Sequence, residues 1–309
     1  MSLLITASLI AFATANIYSP SSGPANDSLR ARIGRRIAEE HGAIVGVAFH
    51  DLQTGDSLYL NADDSFHAAS TMKVPVMIEL FRSIDAGALR LDQGILLVNQ
   101  FGSIVDGSPY SLDAGDDSDS SAYKLAGKRV PLKELIDRMI TRSSNLATNA
   151  LIELVRASNA NATAHMLGAR NIRVLRGVED GKAFRAGLNN TTTARDLAVL
   201  LEAIETGRAA SRSSCDAMRE ILLHQEFNEE IPAGLPPGTR VAHKTGWITG
   251  VLHDAAVVYP PGRKPYVLVV LTRDIPDEKV ARRLIADLSR IVWAYAVPSR
   301  VAVNQAHRP

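Results

Sequence analysis

Strand periodicity sits at the two ends of this 309-residue chain and helical periodicity fills its middle, a distribution that constrains the fold more than any other feature. Ala43 to His50 (AIVGVAFH) and Ser57 to Leu60 read as strands joined by a turn at Thr54-Gly55-Asp56. After Arg240 strands return at VAHKT, HDAAVVY and PYVLVVLT, and Asp277 to Tyr295 closes with an amphipathic helix. Between Ser70 and Leu201 the stretches VPVMIELFRSIDAG, VPLKELIDRMI, NLATNALIELVRA, ATAHMLGA and TTARDLAVLLEAIETG carry apolar residues three and four apart. Strands must pair along their edges and bury a face, so the two terminal segments have to meet. They are expected to build one α/β domain from residues 27–69 and 208–297, with a helical domain over 70–207 between them. A helix capped by Asp27-Ser28 and ending at Gly42 precedes the first strand in this reading.

Composition narrows the partner. With 46% hydrophobic residues the chain can bury a full core, and a net charge of +1 without a long basic run argues against nucleic acid or an anionic membrane surface. Met1 to Ala15 (MSLLITASLIAFATA) is too short to span a bilayer and ends in Ala13-Thr14-Ala15, the small-x-small form of a signal-peptidase site. Export to the periplasm or beyond is therefore expected, with residues 16–26 as a Ser/Pro/Gly-rich linker and 298–309 as a tail. Cys215 is the only cysteine, which excludes an internal disulfide, a thiolate metal site and a lipid anchor beside the cleavage site. Asp113 to Ser121 (DAGDDSDSS) lacks the Gly and Glu positions of a calcium loop and reads as a solvated insertion.

Three short motifs carry chemistry: Ser70-Thr71-Met72-Lys73, Ser143-Ser144-Asn145 and Lys244-Thr245-Gly246. Ser-x-x-Lys and Ser-x-Asn each recur by chance in a chain of this length, Lys-Thr-Gly in about one such chain in ten or fewer, and each has an ordinary structural explanation as a helix cap or an edge-strand lysine. A serine hydroxyl becomes a nucleophile only with a base beside it and donors aimed at the developing oxyanion. Lys73, three residues after Ser70 on a helical run, can lie beside that hydroxyl, and burial near Lys244 would lower its proton affinity. Ser143 can relay a proton to a leaving nitrogen, and the Asn145 amide can hold a substrate carbonyl. Lys244 and Thr245 on a strand can bind a substrate carboxylate, Gly246 lets a ligand approach, and the Trp247 N–H is a candidate oxyanion donor beside that of Ser70. Neither a His-x-x-x-His or His-x-His pair nor a Gly-x-Ser-x-Gly elbow is present, and His253-Asp254, adjacent on a strand, face opposite ways and read as structural.

In this order and spacing the motifs resemble those of the class A β-lactamases and their relatives among the serine penicillin-recognising enzymes: Ser-x-x-Lys, Ser-Asp-Asn and Lys-Thr-Gly. The FHAASTMKVPVM, LIDRMITRSSNLATNALIELV, NNTTTARDLAVLLEAI and DAAVVYPPGRKPYVLVVLT segments extend the likeness over nearly the whole chain. The resemblance implies an antiparallel sheet flanked by helices, an all-helical domain, no cofactor or metal, a monomer, and a covalent acyl-Ser70 intermediate with a β-lactam or cell-wall peptide. Two departures stand out. Ser144 replaces the family's Asp, and the loop that should carry the deacylating glutamate reads Arg176-Gly177-Val178-Glu179-Asp180-Gly181-Lys182, without the usual Leu-Asn pair. Glu179 is the first candidate base and Asp180 the reserve. Without either, the same machinery would acylate and stall, as in a DD-peptidase-like enzyme, an esterase relative or a penicillin-binding module without turnover.

Overall fold

The computed structural model describes residues 24–298; the expected leader, most of the linker and most of the tail lie outside the described residues. The first helix, α1 (Pro24–Ala38), starts ahead of the expected Asp27-Ser28 cap. A proline, with fixed φ and no N–H to satisfy, suits a first helical turn and carries the helix further toward the N-terminus. The linker reading of 16–26 is shortened accordingly.

Five antiparallel strands form the sheet: β1 (Ile44–Asp51), β2 (Ser57–Leu60), β3 (Arg240–Ile248), β4 (Val251–Tyr259) and β5 (Tyr266–Arg273). Their order is β2-β1-β5-β4-β3, so the chain's two ends meet where β1 pairs with β5, Ile44 opposite Arg273 and Asp51 opposite Tyr266. The run YVLVVLT is apolar throughout because β5 is central and covered on both faces. On one face Val45, Val47, Phe49, Leu268 and Val270 pack against Leu29 and Ile33 of α1 and Leu284, Ile285, Leu288 and Val292 of the C-terminal helix Glu278–Ala296. On the other, Ala48, Val257, Val267, Val269 and Leu271 join a larger core that runs on into the helices of the middle segment. Each fully buried Leu or Ile there contributes about 1.5–3 kcal/mol of transfer free energy.

The middle segment supplies the helices Lys73–Asp85, Leu132–Thr141, Asn145–Val155, Ala157–Met166 and Ala194–Glu205, matching the five periodic stretches. Periodicity left Arg212–Leu223 unassigned, yet it is helical and buries Cys215, Met218 and Leu222. Between Asp85 and Leu132 the chain is mostly loop, with the short strand pairs Gly94–Leu96 with Arg129–Pro131 and Phe101–Gly102 with Pro109–Tyr110.

The acidic insertion requires a correction. Asp117 and Asp119 are 6% and 4% exposed, so this stretch is not simply solvated. Asp119 pairs with Arg138 at 2.8 Å, and Asp117 accepts backbone hydrogen bonds at the start of the Asn145–Val155 helix. Unpaired N–H groups at a helix N-terminus are an energetic demand that a carboxylate satisfies well, and that demand draws the loop inward.

Candidate active site

Ser70 lies on a 3-10 turn, Ala69–Met72, that runs directly into the helix Lys73–Asp85. Ala69, just before it, holds φ 44°, a conformation that costs a residue with a Cβ about 1 kcal/mol or more and persists only where the surroundings enforce it. Here they do. The Ala69 N–H donates to His67 Nδ1 at 3.0 Å, and the His67 carbonyl accepts from His253 Nε2 at 2.8 Å. Burial pushes His253 down to about 4, so it is neutral, and its Nδ1 lies 2.8 Å from the Leu252 carbonyl and 3.2 Å from the Thr272 N–H. His253 and Asp254 do face opposite sides of β4: Asp254 instead meets buried His243 at 3.0 Å and the Ile231 N–H at 3.0 Å.

Strand β3 lies at the sheet edge against this turn. A Cβ on Gly246 would sit 3.1–3.2 Å from Thr71 Cγ2, Ala69 Cβ and Ser70 N. Glycine at 246 thus lets the nucleophile turn pack directly on the strand. The Ser70 and Trp247 N–H groups belong to two chain segments brought together by that contact.

The centre of the site is Ser143. Its left-handed backbone (φ 56°) turns both its carbonyl and its hydroxyl toward Lys73, whose Nζ donates to Ser143 O at 2.5 Å, Ser143 Oγ at 3.0 Å and Asn145 Oδ1 at 3.0 Å. Lys244 Nζ donates to the same Ser143 Oγ at 3.0 Å and to Thr245 O at 2.9 Å. Both lysines are fully buried. Desolvation first and the neighbouring Lys244 second hold Lys73 well below its ordinary value, against the pull of Asp117 and Glu179. Desolvation lowers Lys244 to about 7, with Asp254 and Glu230 opposing it. No hydrogen bond joins Lys73 Nζ to the Ser70 hydroxyl: its contacts are Ser143 O, Ser143 Oγ and Asn145 Oδ1, the acceptors that satisfy a buried amine.

A cleft of about 410 Å³ opens over this floor, lined by Ser70, Asn145, Glu179, Phe184 and Trp247 among others. Trp247 and Phe184 are each 55% exposed. Glu179, exposed and at φ 61°, accepts from Asn145 Nδ2 at 2.6 Å. Asn145 thus bridges Lys73 and Glu179 through the two ends of one amide. Partial desolvation, with Asp117 and Asp116 nearby, raises the Glu179 carboxyl above its ordinary range despite the Asn145 bond and Lys73.

Residues that the motifs do not contain hold the Glu179 loop. Asn149, one helical turn after Asn145, accepts from the Val178 N–H at 2.6 Å and donates to the Val178 carbonyl at 3.0 Å. Asn190 accepts from the N–H groups of Leu175 and Arg176 and returns a bond to the Arg176 carbonyl. The Arg176 guanidinium closes the loop neck on Leu188 O, Gly177 O and Asn189. Asp180 is 1% exposed and fully engaged with Ser103, the Ile104 N–H and the Ala183 N–H. Desolvation would raise its carboxyl, but those hydrogen bonds prevail and hold it below the ordinary range. Asp180, buried and held by these three donors, anchors the loop, whereas Glu179 is exposed in the cleft. The i, i+4 spacing of Asn145 and Asn149 is the one signal in the sequence that points to this clamp.

The beta-lactamase enzyme family matches residues 28–296 of the chain. The chain belongs to that family. It is a serine hydrolase of the class A β-lactamase type. A β-lactamase of Streptomyces albus G is 28% identical over 277 residues, covering 88% of this chain and 85% of that protein. The β-lactamase of Sphaerobacter thermophilus DSM 20745 is 29% identical with a TM-score of 0.73, covering 88% of this chain and 99% of that one. A variant of PBP-A, solved as an acyl-enzyme complex with penicillin G, is 28% identical with a TM-score of 0.71, covering 89% and 98%. The β-lactamase fold thus accounts for the antiparallel sheet and its helices in this member as well.

Proposed function

We propose that this enzyme opens β-lactam rings by two acyl transfers through Ser70. Ser70 Oγ attacks the lactam carbonyl carbon, the ring C–N bond breaks, and the Ser70 proton reaches the leaving nitrogen by way of Lys73 and Ser143. The carbonyl oxygen, negative in the tetrahedral intermediate, is held by the N–H groups of Ser70 and Trp247. Lys244 and Thr245 pair with the substrate carboxylate, and Asn145 orients the acyl side chain's amide. Glu179 then takes a proton from water, which attacks the ester carbonyl; the C–Oγ bond breaks and that proton is returned to Ser70 Oγ. The observation that carries this reading is the meeting of Lys73 and Lys244 on Ser143 Oγ, each at 3.0 Å, beside the Ser70 cleft. With both amines as donors, the Ser143 proton is directed outward, where a leaving nitrogen would stand.

The test is intact-protein mass spectrometry with benzylpenicillin and turnover of nitrocefin. Ser70→Ala is expected to abolish both adduct and turnover, and an adduct that survives on Ser143 would refute the assignment. A second reading has its own support in the Glu179 loop, which lacks the Leu-Asn pair, and in the likeness to PBP-A: fast acylation with slow release, as a DD-peptidase-like or esterase relative. A stoichiometric burst from the wild-type protein, or D-Ala release, would favour it; a burst with no further product would indicate a non-turnover binding module. Action outside the cytoplasm belongs to the same proposal and is supported by the Met1–Ala15 run and its small-x-small end.

A further inference from the structure

We propose that Asp117, from the acidic insertion, is a positioning residue of this site, supplying the carboxylate that the Ser143-Ser144-Asn145 motif lacks. The proposal rests on the acyl-transfer reading above. Asp117 is 6% exposed and held by three backbone donors: Oδ2 accepts from the N–H groups of Asn145 at 2.9 Å and Leu146 at 3.0 Å, and Oδ1 accepts from the Asp119 N–H at 2.9 Å. Ser144 spends its hydroxyl on the Ala147 N–H at 3.3 Å and brings no negative charge. The first turn of the Asn145–Val155 helix is thus capped jointly, by Ser144 from within the motif and by Asp117 from 28 residues upstream.

Two consequences follow for the chemistry. The backbone that Asp117 grips carries the Asn145 amide, and that amide holds Lys73 at one end and Glu179 at the other. Asp117 also sets a buried carboxylate near the buried Lys73. The charged groups acting on Lys73 are Lys244 from β3, Glu179 from its loop and Asp117 from the insertion, and Asp117 is the larger of the two attractive influences. Tyr123, on the 3-10 turn Ser120–Leu125, stands on the other side of Asp117 and is neutral at working pH. Lys73 accepts a proton only when neutral. Removing the Asp117 charge makes the protonated form less favourable, lowers the Lys73 pKa, and moves the acid limb of acylation to lower pH.

The experiment measures the acylation rate of the full-length protein by nitrocefin in stopped flow across pH, for wild type, Asp117→Asn, Asp117→Glu and Asp119→Asn. Asp117→Asn is expected to shift the acid limb down by about one pH unit and to lower the plateau about tenfold. Asp117→Glu keeps the charge and should restore the limb. Asp119→Asn breaks the pair with Arg138 and should reduce thermal stability while leaving the limb in place. Should Asp117→Asn not fold, Asp117→Ser, a neutral cap of helix N-termini, carries the same expectation. An unshifted limb in the neutral variants, or the same shift in Asp119→Asn, overturns the proposal. Absence of any Ser70 acylation in the wild type overturns the functional reading and this assignment with it.

Discussion

Glu179→Gln separates acylation from release, and the structure sets what it should do. The substituted amide keeps an oxygen where Oε1 accepts from Asn145 at 2.6 Å, so the bridge from Lys73 through Asn145 can survive. The ability to take a proton from water is lost. Removing a positioned base costs on the order of 10²–10⁴ in rate, equivalent to about 3–5 kcal/mol of barrier, which falls on deacylation alone if Lys73 and Ser143 serve acylation. The raised Glu179 carboxyl, closer to neutrality than an ordinary glutamate, is suited to the proton transfer being removed. Stopped-flow nitrocefin hydrolysis should then show a burst of one equivalent and a slow steady state, and mass spectrometry should find the acyl-enzyme on Ser70. Asp180→Asn is the matched control in the same loop. Its carboxylate accepts from Ser103, Ile104 and Ala183, so it should lower stability by about 1–3 kcal/mol for each bond left unmade and should not selectively trap the adduct. Trapping by Asp180→Asn with normal turnover in Glu179→Gln would refute the assignment. A burst from the wild type itself would move the enzyme to the slow-release reading.

Lys244→Ala should lower kcat/KM about ten- to a hundredfold for carboxylate-bearing substrates and far less for neutral esters, since a charge-assisted hydrogen bond is worth roughly 1.5–3 kcal/mol; equal losses would remove Lys244 as the anchor. The Lys244 pKa, lowered to about 7, gives the sign of a pH dependence: the amine is charged below that value and neutral above it. Capture of carboxylate substrates should therefore decline as pH rises through about 7 while neutral esters show no such limb, read from kcat/KM profiles of both. Gly177→Ala would place a Cβ 2.5 Å from Asn149 Oδ1, inside the clamp on Val178. It should slow deacylation more than acylation, and equal effects on the two steps would show that the clamp does not position Glu179.

The sequence alone determined the architecture's outline and the three motifs. Both follow from short-range physics: alternation and three-four spacing report local geometry, and Ser70 to Lys73 or Lys244 to Gly246 are contiguous pieces whose spacing is set by one helix or one strand. The same reach extends to Asp254, which faces away from its neighbour His253 as strand alternation requires. What only the tertiary structure decided are the partnerships across long separations. Lys73 is satisfied by Ser143 and Asn145, 70 and 72 residues away, in preference to its helical neighbour Ser70, because a buried amine is bound to the acceptors that the assembled cleft provides. Local spacing places Glu179 ahead of Asp180 without separating their surroundings. Asp180 is buried among three donors, and Glu179 lines the cleft. The acidic stretch 113–121 looks solvated in one dimension, since charge favours water unless a compensating dipole is near. The start of the Asn145–Val155 helix is that dipole, and it exists beside Asp117 only once the chain is folded.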